Sequence, residues 1–295
     1  MPKRLALFID GTWNGPDDPA ITHVRRLYLA ANAAAPEQQK CHYLAGVGSD
    51  RGEGFETPGH LVEAGLQSEA AWVQRQVKNL YSGVTGWGTD FNIRGAYRWL
   101  VENYDPGDAV YLFGFSRGAF AARSLAGFND IVGVLFRQSQ QHIEPLYDLY
   151  RRGPKGRSDL QAEVHALAGR HGPFPRPGRA VGGRASADAP LNDPDALRVY
   201  FIGVWDTVGA IHDWQRIRSG HRRGPHEVEM PDNVTHVRHA LALHELRGSF
   251  EPELFERAPT EPGGSLEQVW FAGAHADIGG GYANESELAA VTLKW

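Results

Sequence analysis

The chain has 295 residues, 42% of them hydrophobic and 11% aromatic, which is enough to bury a substantial core and argues against intrinsic disorder. A formal net charge of −5 and a pI near 6.2 lack the basic excess expected of a nucleic-acid-binding protein. The single cysteine, Cys41, rules out an internal disulfide and any all-cysteine metal site.

The first apolar run, residues 5–9, is compact and uninterrupted, as in a strand covered on both faces of a parallel sheet. It is too short for a signal peptide or a membrane span and meets a carboxylate at Asp10. Cytosolic synthesis is expected, with any export by a route that needs no cleaved signal. Helical periodicity follows over residues 61–81, with Leu66, Ala70, Val73, Val77 and Leu80 on one side. A second helix is expected over residues 91–104, stopped by Asp105-Pro106-Gly107-Asp108. Buried strands are expected at residues 109–113, 199–205 and 269–272, and a further helix directly after Ser116. Strands alternating with helices predict an α/β fold: one domain over residues 1–295, with a mostly parallel central sheet covered on both faces.

Residues 151–195 break this pattern with six prolines and many glycines. Between Arg151 and Arg184 basic residues outnumber acidic ones by six. A loop-rich insertion or lid over the core is expected, either simply solvated or offering its charge to a membrane surface. Arg216, Arg218, Arg222 and Arg223 could extend it. The chain ends at Trp295 within an apparently amphipathic helix, so a C-terminal part is expected to be missing.

The segment Gly114-Phe115-Ser116-Arg117-Gly118 fits G-x-S-x-G between an expected strand and an expected helix, the context of a nucleophile elbow. The turn is so tight that the serine takes strained dihedrals and larger neighbours would clash, hence the glycines at 114 and 118. An unperturbed hydroxyl is a weak nucleophile at neutral pH and needs a base within reach. In an α/β-hydrolase the order along the chain is serine, then carboxylate, then histidine. Asp206 closes the strand at 199–205, and His275 follows the strand at 269–272. All three therefore fall at carboxyl ends of strands, the edge where open α/β sheets place their sites. His212, His221, His226, His236, His239 and His244 also follow Asp206, but none directly follows a strand-like run.

An oxyanion hole needs one N–H from the residue after the nucleophile, here Arg117, and one from a loop after a neighbouring strand. Gly11 or Thr12 is the expected second donor, the alternative being an Asp-Gly turn without a role. Phe8 stands where aspartate-nucleophile phosphatases of the D-x-D-G-T pattern carry their first aspartate, so that chemistry is excluded. Asp10 and Asp277 are expected to support the site loops. Together with Asp206 and His275 they match no metal-binding spacing, and neither metal nor cofactor is expected.

Four separated blocks carry a resemblance: 8–14, 114–119, 204–209 and 273–282. Together and in order they are similar to the catalytic domain of the type VI secretion phospholipase effectors, the Tle-type lipases. The resemblance implies an α/β-hydrolase core whose triad, here Ser116, Asp206 and His275, deacylates glycerophospholipids. It further implies an antibacterial toxin exported by a type VI system, with an immunity protein or a secretion-machinery protein as partner. Similar proteins usually carry aspartate where His244 stands. The rival readings are an esterase for small soluble or cell-wall esters and a binding protein with an idle site.

Overall fold

The computed structural model describes residues 2–12, 14, 20–34, 37–46, 87–152, 154–171, 197–209, 230–282 and 287–295. Six strands pair in parallel: β1 (Arg4–Ile9), β2 (Gln39–Leu44), β3 (Ala109–Phe115), β4 (Arg198–Trp205), β5 (Val234–Ala242) and β6 (Ser265–Phe271). Their order is β2-β1-β3-β4-β5-β6. The helices are α1 (His23–Ala33), α2 (Trp87–Asn103), α3 (Arg117–Val132), α4 (Ile143–Tyr150), α5 (Pro154–His171), α6 (His275–Gly279) and α7 (Glu287–Lys294).

Strand β1 shows why the expected strands read as unbroken apolar runs. Successive side chains alternate between faces, and both faces are covered. Leu5, Leu7 and Ile9 join a core with Leu100 of α2, Leu125 of α3 and Leu146 of α4. Ala6 and Phe8 join a second core with Val24 of α1, Phe115 and Trp205. From β1 the chain passes outward to β2, while β3 pairs with the other edge of β1. Connections that diverge in this way leave a crevice at the carboxyl ends of the two inner strands. The turns after β1 and β3 lie there.

The structure departs from the sequence reading in two respects. Strands β2 and β5 escaped the reading, because QKCHYL and VTHVRHALA interleave polar and basic residues with apolar ones. The first part of the expected loop-rich insertion at 151–195 is instead helix α5, opened by Pro154, whose fixed φ suits the start of a helix. Its Leu160, Val164 and Leu167 are buried in the main core, each worth roughly 1.5–3 kcal/mol. The helix expected over 61–81, the rest of the basic segment from 172, and Arg216 to Arg223 lie outside the described residues.

Candidate active site

The turn between β3 and α3 is built from two forced close approaches. A Cβ on Gly118 would lie 2.1 Å from the Ile9 carbonyl oxygen, and one on Gly114 would lie 2.5 Å from the Gly118 carbonyl oxygen. Only glycine fits at either position. Between them Ser116 takes φ 58° and ψ −124°, where a side-chain-bearing residue is strained. The amide of Ser116 donates to the Trp205 carbonyl at 3.0 Å, and its carbonyl accepts from Val208 N–H at 3.3 Å. The elbow is thus laced to the turn after β4.

That turn holds Asp206, with φ 42°; among the described residues only Ser116 and Asp206 combine positive φ with a side chain. Backbone strain persists where surrounding bonds overdetermine it, and Asp206 is held through its amide and both carboxylate oxygens. Its amide donates to the Ala240 carbonyl at 2.8 Å. Its Oδ1 accepts from Ala242 N–H at 3.0 Å, and its Oδ2 meets His275 Nδ1 at 2.6 Å. The carboxylate is fully buried. Strand β5 supplies both backbone partners, so the strand missed from sequence is the one that clamps the carboxylate.

His275 is the first residue of α6, and its ring lies between two aromatic side chains. The Phe115 centroid is 4.6 Å away and the Phe250 centroid 4.8 Å, the latter edge-on. Gly279, one turn on, packs so closely under Phe115 that a Cβ there would enter the ring. The backbone brings Ser116 and His275 to one crevice, but no hydrogen bond joins the hydroxyl to the imidazole. Such contacts are commonly long without substrate and tighten on binding.

The supporting residues divide by role. Asp10 is buried, and its carboxylate accepts from Gly11 N–H at 2.7 Å, Thr22 Oγ1 at 2.6 Å and the Tyr43 hydroxyl at 2.7 Å. Burial pushes its pKa up to about 6, although these three bonds act the other way. The Gly11 amide is therefore already engaged. Gly11 contributes instead by close approach, since a Cβ there would lie 3.3 Å from the Ser116 Cβ. The Thr12 hydroxyl accepts from the buried Arg117 Nε, which ties the β1 loop to the first turn of α3. Burial draws the Arg117 guanidinium down to about 10. Asp277 accepts from Ala274 N–H at 2.8 Å and so shapes the start of α6.

Sequence reasoning missed three partners. His244 holds the loop that bears His275: its amide donates to the Gly273 carbonyl and its Nδ1 accepts from Gly273 N–H, both at 3.0 Å. A carboxylate at this position could accept the same bond. Glu245 accepts from His275 N–H at 3.3 Å and pairs with Arg247 at 2.5 Å. Burial opposes its charge, but the bonds from Arg247 outweigh that and leave its pKa lowered. His239 of β5 is wholly buried behind the Asp206 turn, accepting from Thr207 N–H at 3.3 Å and meeting Gln268 at 3.2 Å. Burial carries its pKa down to about 3, so the ring is neutral. Among the described residues no group of three or more metal-ligating side chains converges.

A parallel sheet with a strained serine elbow beside the switch between β1 and β3 places the protein in the α/β-hydrolase-like class. Within that class the chain belongs to the family described as T6SS phospholipase effector Tle1-like, catalytic domain, which matches residues 3–295. It is 27% identical over 260 residues to the uncharacterized protein YEL023C of Saccharomyces cerevisiae, covering 88% of this chain and 34% of that protein. Two solved structures are similar. One is an uncharacterized protein from Pseudomonas aeruginosa, at 19% identity and a TM-score of 0.45, covering 99% of this chain and 45% of that one. The other is the Tle1 effector bound to the VgrG spike of the type 6 secretion system, at 18% identity and a TM-score of 0.41, covering 98% and 53%. The chain thus spans about a third of the yeast relative (34%) and about half of each solved structure (45% and 53%).

Proposed function

We propose that Ser116, His275 and Asp206 act as a proton relay that hydrolyses carboxylic esters, with acyl esters of glycerophospholipids as the substrate. The observation that carries this reading is the 2.6 Å bond between His275 Nδ1 and the fully buried Asp206 carboxylate, beside a serine in strained conformation. Membership of a phospholipase effector family supports the choice of substrate.

With Nδ1–H held by Asp206, the proton-free nitrogen of His275 is Nε2, the tautomer a general base needs. Nε2 takes the Ser116 proton as Oγ attacks the ester carbon. The oxyanion is stabilised by the backbone amides of Arg117 and Thr12, the Gly11 amide being engaged by Asp10. Nε2–H then protonates the leaving alcohol, and water releases the fatty acid by the same sequence in reverse. Asp206 stays ionised throughout and stabilises the imidazolium. Delivery by a type VI system follows the family, with a spike protein of that machinery as partner. The basic part of the 151–195 segment is the proposed membrane contact.

The test is a panel of phospholipid vesicles and short-chain soluble esters, run with the native chain and Ser116→Ala. Turnover on vesicles should fall by at least ~10³-fold in the variant. Full turnover by the alanine variant would overturn the assignment of the nucleophile. Activity on soluble esters alone would overturn the lipid substrate.

A further inference from the structure

The loop after β5 closes a ring of contacts around His275 that the proposed relay does not itself use. The Glu245 side chain in that loop is only 4% exposed, and a buried carboxylate stays charged only where partners replace the lost water. Arg247 supplies them. Oε1 of Glu245 accepts from the Arg247 amide at 2.9 Å and from Nε at 2.7 Å, while Oε2 accepts from Nη2 at 2.5 Å. Oε2 also accepts from His275 N–H at 3.3 Å. A two-pronged bond of this kind fixes the plane of the guanidinium as well as its position.

That plane lies over the Phe250 ring, with the guanidinium carbon 3.8 Å from the ring centroid, well within cation–π range. Phe250 ends the short 3₁₀ turn Gly248–Phe250, and its amide donates to the Arg247 carbonyl at 2.9 Å. Its ring in turn meets the His275 imidazole, with centroids 4.8 Å apart and planes at 71°. From Arg247, therefore, one path reaches the backbone of His275 through Glu245, and a second reaches its ring through Phe250. Asp206 holds the ring at Nδ1. A hydrogen bond at one nitrogen leaves a ring free to tilt about it, so the tilt is set by the aromatic walls.

We propose that Arg247 is a positioning residue for His275, fixing through Glu245 and Phe250 the tilt that carries Nε2 toward Ser116. The proposal rests on the esterase reading, because it takes His275 as the base. Lysine at this position would keep the charge but offer neither fork nor plane, so the requirement is for arginine itself. Misplacing a reacting group by about 1 Å costs on the order of 10²-fold in rate. Arg247 acts on the base and not on the ester, so its loss belongs to kcat and not to KM. Its side chain is 29% exposed, so variants here keep the fold.

The test compares the native chain with Ser116→Ala, Arg247→Met, Arg247→Lys, Phe250→Leu and the double variant of Arg247→Met and Phe250→Leu. Hydrolysis of monomeric dihexanoyl phosphatidylcholine and of p-nitrophenyl butyrate is followed separately, resolving kcat from KM. Arg247→Met should lower kcat by about 10²-fold with KM changed less than about twofold, and by the same factor on both esters because the base is shared. Arg247→Lys should still lose at least about tenfold. The double variant should fall little below the worse single one, since the two residues act through one contact. The low-field ¹H resonance of the His275 Nδ1 proton, bonded to Asp206 at 2.6 Å, should shift in Arg247→Met and Phe250→Leu alike. Native kcat in Arg247→Met, a loss confined to KM or to one ester, or losses that multiply in the double variant would each overturn the proposal. Native hydrolysis independent of Ser116 would instead overturn the esterase reading; the proton resonance then decides the positioning alone, and an unmoved one overturns it.

Discussion

Asparagine at position 206 would change one polar atom in the site and little of its shape. Oδ1 would still accept from Ala242 N–H, which now lies at 3.0 Å, so the amide nitrogen would be the atom turned toward His275. An amide nitrogen donates where the carboxylate oxygen accepts. His275 Nδ1, now 2.6 Å from that oxygen, would have to become the acceptor and shift its proton to Nε2. A proton on Nε2 leaves the ring unable to take one from Ser116. Two losses combine: the wrong tautomer in the ground state and no counter-charge for the imidazolium in the transition state. The comparable substitution in a well-studied serine hydrolase costs about 10⁴-fold in turnover, or roughly 5 kcal/mol. Rates of ester hydrolysis by native chain and Asp206→Asn, at saturating substrate, give the ratio directly. The loss should fall on turnover rather than on substrate affinity, because Asp206 is buried beneath the histidine and touches no substrate. A loss below about tenfold, in a variant with native circular dichroism, would show that the carboxylate does not set the tautomer and would refute the relay.

Ser116→Gly should abolish hydrolysis yet raise the melting temperature, since removing the side chain at φ 58° relieves strain worth about 1 kcal/mol net of the added chain entropy; a lowered melting temperature would contradict this. Gly118→Ala should destabilise by about 3 kcal/mol, because the new methyl would lie 2.1 Å from the Ile9 carbonyl oxygen and 2.5 Å from that of Asp10, neither free to move; denaturant titration measures it. Asp10 has a folded pKa of about 6 against 3.8 without the protein environment, so its protonated form is the one favoured by folding. The stability it adds is fully present below pH 3.8 and is lost as pH rises through about 6, a swing on the order of 3 kcal/mol. Urea melts from pH 4 to pH 7 should therefore show native stability falling relative to Asp10→Asn; a gap independent of pH would contradict it.

The elbow was legible in the sequence because its chemistry is local. Strand, glycines, serine and helix follow one another within a dozen residues, and only that order permits the turn. Asp206 and His275 could be proposed together because each lies within four residues of the carboxyl end of a strand with a recognisable apolar run, Trp205 and Phe271. What the sequence hid was lateral. His236, Arg238 and His239 interrupt the apolar pattern of β5, although His239 is buried by specific bonds to Thr207 and Gln268 rather than by an apolar surface. Composition misled at α5 for the converse reason: arginine, proline and glycine dominate the segment, while Leu160, Val164 and Leu167 bury one stripe. The engagement of Gly11 by its neighbour Asp10 was equally out of reach, since it depends on where the carboxylate turns.

The order of the sheet also bears on how the proposed relay would assemble during folding. Asp206 and His275 hang from strands that never touch, β4 and β6, and β5 lies between them as the spacer that sets their separation. A chain in which β6 had not yet docked would bring Ser116 and Asp206 together without His275. Under the proposed relay, the base would therefore join the serine and the carboxylate only with the docking of β6.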